Sequence, residues 1–212
     1  MGLALSLGLG SWQIARLRWK EAILARIDAA EHAEPVPFTL RPPDFARLRA
    51  TGHFSADSVR YGTELRETPA GARLGSRVIQ PLHLADGGTV LVDRGWAPDE
   101  VRPPVPEGET TVIGYARPAE AGGWATPADD PGSRHFYAPR PDRMAAALQV
   151  GPVAPFLLVA LGRPVPGLYP QPAVALPRPA NDHLQYALTW YGLGVVLVVM
   201  FWLRFRPFTR KG

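Results

Sequence analysis

Few side chains in this chain can do chemistry at a metal or a reacting centre, and one of them is set apart by its place. There is no cysteine. Thiolate copper or zinc sites, Cys-ligated clusters and covalent c-type haem attachment are therefore excluded, and any metal must be held by His, Met or carboxylates. The histidines are His32, His53, His83, His135 and His183, and no two share a ligand spacing such as HExxH or HxH. His83 with Asp86 has the residue types of an acid/base pair, but no nucleophile lies nearby. A GxSxG elbow, a P-loop and a Rossmann fingerprint are all missing, which argues against an enzyme. His183 differs from the other four. It stands in a polar cluster (Asn181, Asp182, His183, Gln185) just ahead of Tyr186 to Leu203, eighteen residues without a charged side chain.

That apolar run must be the element that positions it. Eighteen helical residues rise about 27 Å, close to the roughly 30 Å of a bilayer's hydrocarbon core. A helix apolar on every side is no outer helix of a soluble domain. Spacings of three, four and seven place Tyr186, Ala187 and Trp190 on the His183 face of such a helix. Two readings of the cluster stay open on residue types alone. In one, Asp182-x-x-Gln185 is a capping box that merely starts the helix, His183 is an interfacial residue, and Trp190 and Tyr191 pack helix on helix. In the other, the imidazole has a function at the membrane boundary.

The rest of the chain supplies a second apolar segment and a body between the two. Met1 to Ala15 is uncharged and rich in Leu, Gly and Ala. It lacks the basic leader and cleavage pattern of a secretory signal and reads as a first, short membrane helix, with Trp12 and Trp19 as interfacial aromatics, or else as a buried or interfacial helix. Gly2, Ser6 and Gly10 recur every fourth residue, a face of small residues that another helix can approach closely, or else a scatter due to composition. Ser11 to Glu34 has neither Gly nor Pro, so the helix continues, with Trp19, Ile23 and Ile27 facing a protein body. Pro35 and Pro37 end it. Strands are predicted at Arg47–Thr51, Val59–Leu65, Arg77–Leu84, Thr89–Asp93, Thr110–Ala116 and Phe156–Leu161. Ala85-Asp86-Gly87-Gly88 makes a hairpin loop, and a helix covers Asp142–Val150. Proline-rich Val165–Pro179 runs extended. The expected fold class is α+β: two transmembrane helices flanking an antiparallel, barrel- or sandwich-like β-domain. The segments are 1–34 (first helix and its extension), 35–179 (β-rich domain), 180–204 (second membrane helix) and 205–212 (basic tail).

The net charge of +4 does not point to nucleic acid, because the basic residues flank the apolar runs. Arg204, Arg206, Arg210 and Lys211 crowd the C-terminus and place it in the cytoplasm. Two spans then put both termini there and the β-domain outside, periplasmic in a bacterial inner membrane. Arg16, Arg18 and Lys20 strain that rule, and a signal-anchor with a cytoplasmic domain is the competing topology.

Four stretches carry a family pattern: Gly10-Ser11-Trp12-Gln13-x-x-Arg16-x-x-Trp19-Lys20; Gly88-x-Val90-Leu91-Val92-Asp93-Arg94-Gly95-Trp96-x-Pro98; Gly114-Tyr115-x-Arg117; and Asn181-Asp182-His183-Leu184-Gln185-Tyr186-Ala187-x-Thr189-Trp190. Their order, around two spans and a β-rich loop, resembles the Surf1 (Shy1) family of cytochrome c oxidase assembly factors. The resemblance implies a non-enzymatic role in oxidase biogenesis, at the step where haem a enters the catalytic subunit. It also implies His183 as ligand of the haem iron. One imidazole suffices for an axial ligand, Tyr186 and Trp190 become pocket walls, and Ala187 is the small position where a flat ring can approach. Arg94 and Trp96 then form a partner surface or hold a propionate, or else close the end of a strand structurally; Arg117 is read in the same two ways. The rivals are a scaffold that grips oxidase intermediates without touching haem, and an unrelated two-span protein with a sensing domain.

Overall fold

The structure, a computed structural model, describes residues 1–43 and 45–205. Of the predicted basic tail, Arg206, Arg210 and Lys211 lie outside the described residues. The chain divides into two compact units, Met1–Ala29 with Pro177–Gly212, and Ala30–Leu176.

With no proline before Pro35, one helix, α1, runs Gly2–His32. The apolar run forms α3, His183–Phe205. Among the described residues α3 is the one helix long and apolar enough to cross a membrane. The uncharged part of α1 falls short of that criterion, so the second predicted span is not established by length and composition.

The second unit is built on a barrel. The Asp-Gly loop works as predicted: Gly87 takes φ +86°, Asp86 Oδ1 accepts the Gly88 amide at 3.0 Å, and the loop joins β4 (Gly71–Leu84) to β5 (Thr89–Pro98). Five strands close the barrel in the order β2 (Arg47–Phe54), β6 (Glu109–Pro118), β8 (Phe156–Ala160), β5, β4 and back to β2. Closure needs backbones to come unusually near. A Cβ on Gly52 would lie 2.1 Å from the His83 carbonyl oxygen, so no larger residue fits where β2 meets β4. β3 (Val59–Thr68) extends the sheet from β4, and the two-residue strands β1 (Val36–Pro37) and β7 (His135–Phe136) add to β2 and β3.

The sheet is not purely antiparallel, which corrects the expected class. β1–β2, β3–β7 and β5–β8 are parallel. The cause of the last is the long connection through β7 and α2 (Pro141–Leu148), which lets β8 insert between β6 and β5. Lying antiparallel to β6, it must run with β5.

β5 and β8 are buried on both faces, and each serves two cores. Val90, Val92, Phe156 and Leu158 join Leu48, Ala50, Leu82 and Val112 in one apolar cluster. Leu91 and Leu157 point the other way, onto Val59, Ile79, Phe136 and the α2 residues Met144 and Leu148. That two-faced burial is why these strands read as continuous apolar runs rather than alternating ones.

Candidate functional site

The first unit is a helix pair. α1 buries Ser6, Gly10 and Gln13, and α3 buries Ala187 and Gly194. Small residues set the approach. A Cβ on Gly10 would stand 2.8 Å from the Tyr191 ring, and one on Gly194 3.7 Å from the Ser6 Cβ. The helices run antiparallel, since Gly2 lies by Leu197 while Gln13 meets His183. The face of small residues is thus a packing face. Its polar groups are satisfied locally, as an apolar setting demands. Ser6 Oγ donates to the Gly2 carbonyl at 3.1 Å, and Ser11 Oγ and the Tyr191 hydroxyl are 3.2 Å apart.

The pair is pinned at its polar end. Lys20 Nζ donates to the Ala180 carbonyl at 2.5 Å, and Arg178 pairs with Asp28 at 2.6 Å. Trp19 is 49% exposed with the Arg16 guanidinium 3.9 Å over its ring. Ile27, on the same row of the helix, is buried.

His183 opens α3, half-buried, and its Nδ1 lies 2.6 Å from Gln13 Oε1. The Trp12 ring meets the imidazole edge-on, centroids 6.4 Å apart at 82°. The neighbouring Asn181 Oδ1 is buried, with no hydrogen-bond partner among the described residues. On the His183 face, Tyr186 is 55% exposed and Trp190 half-buried. Ala187 is 1% exposed. It lies seven residues before Gly194, on the face that α3 turns to α1, and so leaves no opening for a flat ring. Sequence reasoning passed over Gln13 and Trp12 as site residues. Their signal was a carboxamide in an otherwise uncharged, mostly apolar segment.

The other sequence candidates are occupied in the barrel. Asp93, fully buried, pairs with Arg77 rather than with Arg94, and its Oδ1 accepts the Gly95 amide at 3.0 Å. Burial pushes the Asp93 carboxyl above its ordinary value, with Arg77 and the Gly95 amide pulling the other way. Burial works against the charge of Arg77, yet the Asp93 carboxylate and its hydrogen bond carry that guanidinium above its usual range. Arg94 donates to Gln80 Oε1 at 2.7 Å and rests over Phe54, and burial lowers its pKa. Gly95 has φ +119°, and a Cβ there would lie 1.9 Å from the Gln171 carbonyl oxygen. Trp96 is fully buried, with its indole N–H on the Glu64 carbonyl at 3.2 Å. Arg117 sits over Tyr61 and 3.8 Å from Glu120. These contacts are those of a structural strand end. His83 Nδ1 is 3.1 Å from Thr89 Oγ1, while Asp86 caps its own loop, so the two form no acid/base dyad. Among the described residues, no group of three or more His, Asp or Glu side chains is placed to hold a metal ion.

A family model described as the SURF1 family matches residues 1–195. The chain is 31% identical to Surfeit locus protein 1 of Mus musculus, over 98% of its own length and 74% of that protein's. It is 30% identical to the protein of the same name from Homo sapiens, over 93% and 73%. A SURF1-like protein of Rickettsia felis is 25% identical, over 92% and 89%.

Proposed function

The chain belongs to the SURF1 family, and we propose that it is a membrane-anchored assembly factor for cytochrome c oxidase that holds haem a on His183 and assists its insertion into the catalytic subunit. The observation that carries this reading is the His183–Gln13 contact at the head of a membrane-length helix. An imidazole that donates from Nδ1 to that amide oxygen would keep on Nε2 a lone pair able to bind iron.

The residues present fit a haem. A single neutral imidazole is a sufficient axial donor. Three aromatic side chains, Trp12, Tyr186 and Trp190, lie on or near its face and remain wholly or partly exposed. When bound, haem a supplies an iron centre with two anionic propionates and an apolar tail, and a lipid–water boundary suits both. The protein contributes ligand, orientation and shelter, with no covalent chemistry of its own.

The same proposal makes α3 a membrane span of 23 residues, about 35 Å of helix, with its basic end in the cytoplasm. α1 packs antiparallel beside it as the second span, both termini are cytoplasmic, and the barrel is outside, in the periplasm of a bacterium. Gly2 reaching the level of Leu197 supports that placement of α1.

The test is a visible spectrum. The full chain, co-expressed with haem a synthesis and purified in detergent, is expected to carry a haem a signal that His183→Ala removes while the thermal unfolding transition is kept. A chain that takes up no haem under any loading condition overturns the carrier role and leaves a scaffold for oxidase intermediates.

A further inference from the structure

We infer that Gln13 is the positioning residue for the His183 imidazole: its amide oxygen accepts the Nδ1 proton, fixes the tautomer, and holds Nε2 as the bare nitrogen. The metal-binding half of this inference rests on the haem reading above; the tautomer half does not.

The geometry carries it from three sides. Gln13 is 8% exposed, in a helical stretch whose other residues from Leu7 to Ala15 are apolar, small or aromatic. A carboxamide in such a place is costly unless hydrogen-bonded. Its Oε1 lies 2.6 Å from His183 Nδ1, a close contact just under the usual N–H···O range of about 2.7–3.2 Å. Trp12, the preceding residue, sets the tilt of the same ring by its edge-on contact. One turn of α1 therefore fixes both the protonation and the plane of a residue that lies 170 positions later.

Chemistry gives Gln13 a role distinct from packing. A histidine that binds metal through one nitrogen commonly donates the other N–H to a carbonyl or carboxylate, which orients the ring and raises its basicity. A neutral amide acceptor keeps the ligand an imidazole. A carboxylate in its place draws the proton further and makes the ring a stronger donor, which favours ferric iron and lowers the reduction potential. Leucine at this site leaves Nδ1–H without an acceptor and frees the ring to turn or change tautomer.

Two experiments on the full chain in detergent test this. In haem-free protein labelled with 15N-histidine, at a pH well above the ordinary imidazole value, the His183 signals (assigned by their loss in His183→Ala) are expected to report Nδ1–H with a bare Nε2. Nε2–H in the native chain overturns the inference whether or not haem ever binds. In haem-loaded protein, Gln13→Leu is expected to retain haem about 10- to 100-fold less tightly, while Gln13→Glu retains it with a midpoint potential below the native one. If native protein takes up haem and His183→Ala abolishes it, yet both Gln13 variants match the native affinity and potential, the positioning role falls and the carrier role stands. If native protein takes up no haem, the carrier role falls, and the nitrogen signals alone decide the tautomer.

Discussion

Asp93 is the most demanding group in the barrel, and removing its partner has a calculable signature. Its carboxyl is fully buried, with Arg77 on one oxygen and the Gly95 amide on the other. Arg77→Met keeps an unbranched apolar stem and removes the charged guanidinium, which leaves a buried carboxylate with one neutral donor. Breaking a buried pair in this way costs about 3–5 kcal/mol. The Arg77 side chain is 20% exposed, so water reaches the vacated end and the lower figure applies. At about 2–4 °C per kcal/mol for a chain of this size, melting should fall by about 6–12 °C at neutral pH. The dependence on pH carries the sharper test. Burial already holds the folded Asp93 carboxyl above its ordinary value, and loss of Arg77 raises it further. The folded protein then keeps a proton that the unfolded chain releases near pH 4, so stability falls as pH rises from about 4 through the folded value. The deficit of Arg77→Met relative to the native chain should be greatest at pH 8 and shrink at pH 5. Asp93→Asn in the same variant should restore most of it. Thermal unfolding of the full chain in detergent, followed by circular dichroism at several pH values, measures all three. A deficit independent of pH, or no rescue by Asp93→Asn, refutes the reasoning.

The helix pair and the topology each offer a simpler test. Because the chain has no cysteine and a Cβ on Gly194 lies 3.7 Å from the Ser6 Cβ, within disulfide range, Ser6→Cys with Gly194→Cys should oxidise to an intramolecular bridge seen as a gel shift. Failure to cross-link, or bridging only between molecules, contradicts the pairing of α1 with α3. For orientation, alkaline phosphatase fused after Ala119 should be active in a bacterial host; an inactive fusion reverses the proposed sidedness.

The parts of the fold legible in the sequence are those fixed by short-range physics. Asp86-Gly87 announced the β4–β5 hairpin, and the lack of Gly and Pro after Ser11 announced a long helix. Gly2, Ser6 and Gly10 exposed the packing face of α1. What stayed hidden depends on pairings distant in sequence. Closure of β2 on β4 through Gly52 and the insertion of β8 beside β5 leave no local trace. Asp93 and Arg94 are neighbours in sequence, yet successive strand residues point to opposite faces, and a register shift between Arg77 and Ile79 on β4 brings Arg77 to Asp93 instead. At the site, helical spacing grouped His183 with Tyr186, Ala187 and Trp190. It had no means of knowing that α1 covers the Ala187 side, nor that Gln13, on the other helix, would meet the imidazole.

The central claim is that one imidazole nitrogen of His183 bonds to haem iron, and electron–nuclear double resonance reads that bond directly. In ferric, haem-loaded full chain grown on 15N-histidine, a single strongly coupled histidine 15N is expected, absent from the His183→Ala protein. Loaded protein with no such coupling, or with one that survives His183→Ala unchanged, contradicts it.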